Sequence, residues 1–303
     1  MITYRHIPLS WILRIEAKVI VTAAVLATGV FLVNEYTDIT LGLPIGIVAT
    51  IGTAVAILLG FKNASAYDRW WEGRKIFGGI TNKSRFLGAQ LLAFAGREAD
   101  GAAPGTDAQV QDVVRRHLAW VNALRCQLRE QAPDEALAAW LDDEERAGLA
   151  DAQNPATQIL TTQARTCTAL RKAGAVEEFQ SYQLLGTVDG LFDLQGQAER
   201  LATTPLLRHY SYFTTAFAWI FVGMLPFGFA EHLGWATIPV VVLISTVFMM
   251  ADRAGSFTED PFEDNINSVP LSSICNTIEI DMLQQMKMEP VPHKLLPTDG
   301  VLM

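Results

Sequence analysis

Cysteine is nearly missing. The 303 residues hold only Cys126, Cys167 and Cys275. The count is odd, the spacings are wide and no CxxC occurs, which excludes a disulfide framework and a zinc ribbon. Reduced structural thiols in a cytosol-facing setting remain. Charge is also scarce: Asp, Glu, Lys and Arg make up 18% of the chain, against about a quarter in soluble globular proteins. The net charge of −9 excludes the basic footprint of a nucleic-acid binder. The phosphate-cradling GxxxxGK[ST], the dinucleotide GxGxxG, the nucleophile elbow GxSxG and the zinc-binding HExxH do not occur. The five histidines, His6, His117, His209, His232 and His293, are scattered, and none stands at ligand spacing from a second His or Cys. They are expected at surfaces or interfaces. No nucleophile, base or metal site is nominated, so no enzyme, cofactor or metal is expected. No secretory signal is evident, because the first apolar run lacks a small-residue cleavage site. No window alternates with period 2, and no internal repeat stands out.

Half of the residues are hydrophobic, and they are concentrated in four stretches free of charge. These are Val19–Asn34, Ile39–Phe61, Tyr210–Ala230 and Leu233–Ala251. A helix rises about 1.5 Å per residue and the hydrocarbon core is about 30 Å thick. The second, third and fourth stretches therefore span a bilayer. The first is short and borrows Ala17 and a snorkelling Lys18. Four transmembrane helices follow. Arg5, Arg14 and Lys18 flank the first, and Lys62, Arg69, Arg74 and Lys75 follow the second. The linkers Glu35–Asp38 and Glu231-His232 carry no Lys or Arg. Positive charge thus marks one side. Both termini and the long middle segment are placed in the cytoplasm.

The remaining chain reads as helical. Arg115–Leu128, Leu137–Leu141 and Ala164–Ala173 show apolar residues at helical spacing, with breaks near residues 101–105, at Pro133 and at Pro155. Asn267 and Ser268 are candidate N-caps before Pro270, opening a helix to about Met288 that Pro290 and Pro292 end. The expected organisation is residues 1–61 with the first two spans, 62–209 as a cytoplasmic helical domain, 210–251 with the last two spans, and 252–303 as a cytoplasmic helix and tail.

The second span carries two stripes. Gly52, Ala56, Gly60 and Ala64 form a small-residue face that lets backbones approach closely. One position on, Thr53, Ile57, Phe61 and Ser65 form another, about 100° round the helix. One stripe suits packing and the other suits a symmetry axis, where rings of Ile and Phe would make an apolar constriction. The alternative, a stripe facing lipid, fits the same residues.

The run from Leu58 to Arg74, LLGFKNASAYDRWWEGR, resembles the bestrophin family, with Trp70-Trp71 directly after Arg69. Arg200-Leu201-Ala202-Thr203-Thr204-Pro205, Asp260-Pro261-Phe262 and Cys275-Asn276-Thr277-Ile278-Glu279 match further on, in family order. The resemblance implies an all-helical protein of a bacterial inner membrane, assembled as a homopentamer around one central pore. It implies a neck lined by Thr53, Ile57 and Phe61, with Thr53 a departure toward polarity at the outer turn. A second constriction at the cytoplasmic exit would fall on Phe179, beside Glu177 and Glu178. The acidic calcium clasp of animal members corresponds to Glu259, Asp260, Glu263 and Asp264 here. That segment lacks their longer acidic run, so calcium gating is not expected. The resemblance to bacterial members and a ring of Glu177 and Glu178 point to passive conduction of small monovalent ions with a cation preference. The alternatives are an anion channel and a membrane-anchored scaffold without a pore. A secondary transporter fits less well, because Pro44, Pro226 and Pro239 lie toward the outer ends of their spans and not at the midplane.

Overall fold

The computed structural model describes residues 9–95, 106–206, 208–298 and 300–302. The expected break at residues 101–105 lies outside them. Among the described residues helices dominate and no strand forms; an isolated bridge joins Thr298 and Val301. The chain divides into two compact units. One takes residues 9–70 and 205–260, the other 71–204 and 261–302, counting described residues only.

The first unit is built from α1 (Leu9–Tyr36), the first half of α2 (Ile45–Ala95), α8 (Arg208–Leu233) and α9 (Thr237–Thr258). Three apolar stretches are long and apolar enough to cross a membrane: Ser10–Tyr36, Ile45–Phe94 and His209–Thr258. The last comprises α8 and α9, joined by a single 3₁₀ turn at Gly234–Ala236. Gly234 has φ +54°, a left-handed conformation that a side chain would strain, and this lets the chain reverse in three residues. The core is aliphatic, with Val19, Ala23 and Ala27 of α1 against Val55 and Leu59 of α2, Val222 and Leu225 of α8, and Val241 of α9. Small residues set the closest approaches. A Cβ on Gly52 would lie 2.7 Å from the Phe221 ring, and one on Gly228 would lie 2.9 Å from Val48.

The second unit combines the remainder of α2 with α3 (Thr106–Leu128), α4 (Asp134–Ala138), α5 (Asp143–Leu149), α6 (Pro155–Lys172), α7 (Glu178–Thr203) and α10 (Leu271–Gln285). Pro155, expected as a break, opens α6, where its missing N–H costs nothing. The Asn154 side chain accepts from Thr157 N at 2.9 Å as the cap. Asn267 and Ser268 do not cap α10: Pro270 takes that position without a side-chain cap. Instead Ser268 donates to the carbonyl of Asn265, and Asn267 N donates to the Asn265 side chain. The helix also ends at Gln285, well before Pro290.

The three thiols are free and buried, as expected. Burial raises Cys167 to about 11 and Cys275 to about 12, so neither offers a thiolate at neutral pH.

His117 departs from its expected surface position: it is fully buried in the second unit. Its Nε2 lies 2.8 Å from Ser84 Oγ and its Nδ1 3.5 Å from Gln163 Nε2. The Ser84 hydroxyl donates to the Ile80 carbonyl, so the serine oxygen accepts from Nε2–H, and Nδ1 accepts from the amide. This tautomer is neutral. Burial lowers the His117 pKa from 6.5 to about 3. Between those values the unfolded chain binds a proton that the folded chain refuses. Stability is therefore full above pH 6.5 and falls as pH drops, by up to about 1.4 kcal/mol per pH unit from this residue. Thermal unfolding in detergent at pH 7 and pH 5 should show the loss. His117→Gln, which cannot protonate, should flatten the slope.

Candidate functional site

The helix α2 has two sides. Val48, Gly52, Val55, Leu59, Lys62 and Ala66 recur at spacings of three and four, and all are buried. That seam turns inward. Its consequence is that Thr53, Ile57 and Phe61, four residues apart, lie on one exposed row. Ile57 is 55% and Phe61 63% exposed, high values for such side chains. Thr53 Oγ1 donates to the Ala49 carbonyl at 2.9 Å. Its hydroxyl is thus satisfied by its own helix, and the polarity expected at that turn is turned back onto the backbone. Of the small stripe, Gly52 packs within the chain, while Ala56, Gly60 and Ala64 stay exposed. A Cβ on Gly60 would meet nothing within 4 Å.

Glu177, Glu178 and Phe179 come together at the start of α7. Gly174, with φ +74°, ends the preceding turn, and Phe179 is 70% exposed. The two carboxylates, however, are engaged. Glu177 is the N-cap: its side chain accepts from the backbone of Gln180, whose side chain accepts from Glu177 N at 2.9 Å. This reciprocal capping box satisfies two helix-end donors. Glu178 lies 3.3 Å from Arg171. The cation expectation set a pore-exit ring of both against two glutamates that favour a helix start. One is committed to the positive end of a helix and the other faces a guanidinium, which weakens the negative field the pair could offer an ion.

The acidic segment after α9 does not converge. Asp264 pairs with Arg129 at 3.1 Å, Glu263 accepts from Asn265 Nδ2 at 3.4 Å, and Glu259 accepts from Ser211 at 3.4 Å. Among the described residues no three His, Cys, Asp or Glu side chains are grouped to hold a metal ion.

The charge pattern placed Lys62 among the flanking cations at a water interface. The structure buries it completely. Its ammonium lies 2.7 Å from Asp252 Oδ1, 2.8 Å from Ser256 Oγ and 3.4 Å from Thr215 Oγ1. Thr215 reaches both Asp252 oxygens at 3.0 Å. A signal existed in the sequence, since Lys62 continues the Val55–Leu59 seam, but charge-free windows end at charges by construction and so made it a boundary.

Comparison with known proteins gives the family and the fold. A family model described as Bacterial/Fungal Bestrophin protein matches residues 5–284. The chain is 31% identical over 268 residues to the Voltage-dependent anion channel-forming protein YneE of Escherichia coli K12, covering 88% of this chain and 85% of that protein. It is 29% identical over 249 residues to the Voltage-dependent anion channel-forming protein mll4386 of Mesorhizobium japonicum, covering 82% and 77%. Among solved structures, a bacterial bestrophin homologue from Klebsiella pneumoniae superposes with a TM-score of 0.83 at 27% identity, covering 90% of this chain and 99% of that one.

Proposed function

Because the chain belongs to the bacterial/fungal bestrophin family, we propose that it is the subunit of a passive channel whose pore is lined by α2. Four helices cross the bilayer: α1, the first half of α2, α8 and α9. The Lys and Arg flanks place the termini and the second unit in the cytoplasm. Five copies close a ring, since a head-to-tail interface must close or run on as a filament. The exposed row Thr53, Ile57 and Phe61 carries this reading. It lies opposite a seam packed within the subunit, so the row is free to face an axis. Five apolar side chains at each of the Ile57 and Phe61 levels would make a neck that resists wetting. Phe179 forms a second narrowing at the cytoplasmic end.

The permeating class is small anions. The names of the E. coli and Mesorhizobium relatives support this, and the contacts of Glu177 and Glu178 weaken the argument for cations. Purified protein in liposomes under a KCl gradient tests it. The expected reversal potential lies on the chloride side, and Glu177→Gln with Glu178→Gln should move it little. A potential on the potassium side that collapses in that double variant would restore the cation reading. Native mass spectrometry returning only monomers or dimers would remove the pore and favour a scaffold.

A further inference from the structure

We propose that Lys62 is the positioning residue of the neck: its ion pair with Asp252 sets the register of α2, and thereby aims Ile57 and Phe61 out of the subunit. The proposal rests on the reading of α2 as the pore helix.

Lys62 is the one charged member of the inward seam Val48–Gly52–Val55–Leu59–Lys62–Ala66. Aliphatic members of such a seam tolerate small rotations and slips, because contact between apolar groups has little direction. A charge is different. The ammonium has three donors, and each finds an oxygen on another helix: Asp252 and Ser256 on α9, Thr215 on α8. Rotating or sliding α2 would strand that charge, which is costly away from water. A single buried polar residue in an apolar seam is the best-attested register device in helical assemblies.

The site is built for the lysine. Gly255 leaves room for its stem: a Cβ there would stand 3.3 Å from Lys62 Cγ and 2.5 Å from Asn63 Oδ1. Thr215 orients the Asp252 carboxylate. On the other side of α9, Arg253 lies 3.4 Å from Glu16 of α1 and donates to the Ile15 carbonyl. Alternating charges therefore run Glu16, Arg253, Asp252, Lys62 across α1, α9 and α2 and sum to zero. Phe61 precedes Lys62 by one residue, about 100° round the helix. Fixing Lys62 inward leaves Phe61, and Ile57 one turn earlier, facing away from the bundle.

The test replaces the pair by apolar groups, Lys62→Met with Asp252→Leu, which preserves burial and removes direction. We expect a ring of unchanged mass, but an ion flux in liposomes raised several-fold, with single channels spread over several conductance levels. Intact rings with wild-type flux and one conductance level would overturn the proposal. Should that variant not assemble, the swap Lys62→Asp with Asp252→Lys decides. The swap restoring one wild-type conductance level supports the proposal; intact swapped rings with scattered levels overturn it, as does failure of both variants, which would make the pair a requirement of folding alone. Ile57→Ala serves as control. If it leaves flux unchanged, the neck reading itself fails. If it raises flux while the Lys62 and Asp252 double variant does not, only the positioning role fails.

Discussion

Liposomes carrying Ile57→Ala should pass ions roughly tenfold faster or more than wild type. The substitution removes three carbons from a side chain that is exposed in the subunit. Each methylene is worth about 0.8 kcal/mol of aversion to water. If one side chain's share, about 2 kcal/mol, leaves the wetting barrier, the rate rises by more than a factor of ten. Five copies of the widened position act on one constriction, so the per-subunit figure is a lower bound. Because Ile57 takes no part in the inward seam, the ring should keep its mass and thermal stability. Flux measured alongside native mass spectrometry checks both. Unchanged flux through an intact ring would place Ile57 against lipid.

Removing only one member of the buried pair should be far more damaging than removing both. In Lys62→Met the Asp252 carboxylate keeps Thr215 but loses its counter-charge. Breaking a buried pair from one side costs about 3–5 kcal/mol. For a chain of this size that corresponds to a fall of about 5–8 °C in Tm. Adding Asp252→Leu should recover most of it, since the orphaned charge is then gone. Scanning calorimetry of the two variants in one detergent gives the comparison. Equal losses in both would show that the lysine stem, and not its charge, matters.

Much of this protein follows from composition and periodicity. Long runs without charge can only be buried or in lipid, and their lengths match a bilayer; the structure has three apolar stretches there, and the second starts at Ile45 and not at Ile39. The ordered matches around Trp70-Trp71 and Asp260-Pro261-Phe262 mark the family without any tertiary contact. The row Thr53–Ile57–Phe61 was legible because helical spacing is a local property. Which side of that helix faces inward was not, since two stripes 100° apart were both plausible. Only packing against Phe221, Leu225 and Val241 decided it.

Side-chain partners were beyond the sequence for a related reason. Lys62 and Asp252 are 190 residues apart, and each looked like an interface charge. Their burial depends on α2 and α9 meeting at Gly255. His117 likewise seemed a surface residue, until Ser84 and Gln163 converged on it from other helices. Glu177 and Glu178 suited either a pore exit or the start of a helix, and the capping box with Gln180 and the contact with Arg171 favour the helix start. Chain-local physics determined the helical class and the apolar stretches, but not the helix bounds, since α2 runs on to Ala95. Tertiary structure decided which charges pair within the subunit, as Lys62 does with Asp252, because a charge finds its partner through space.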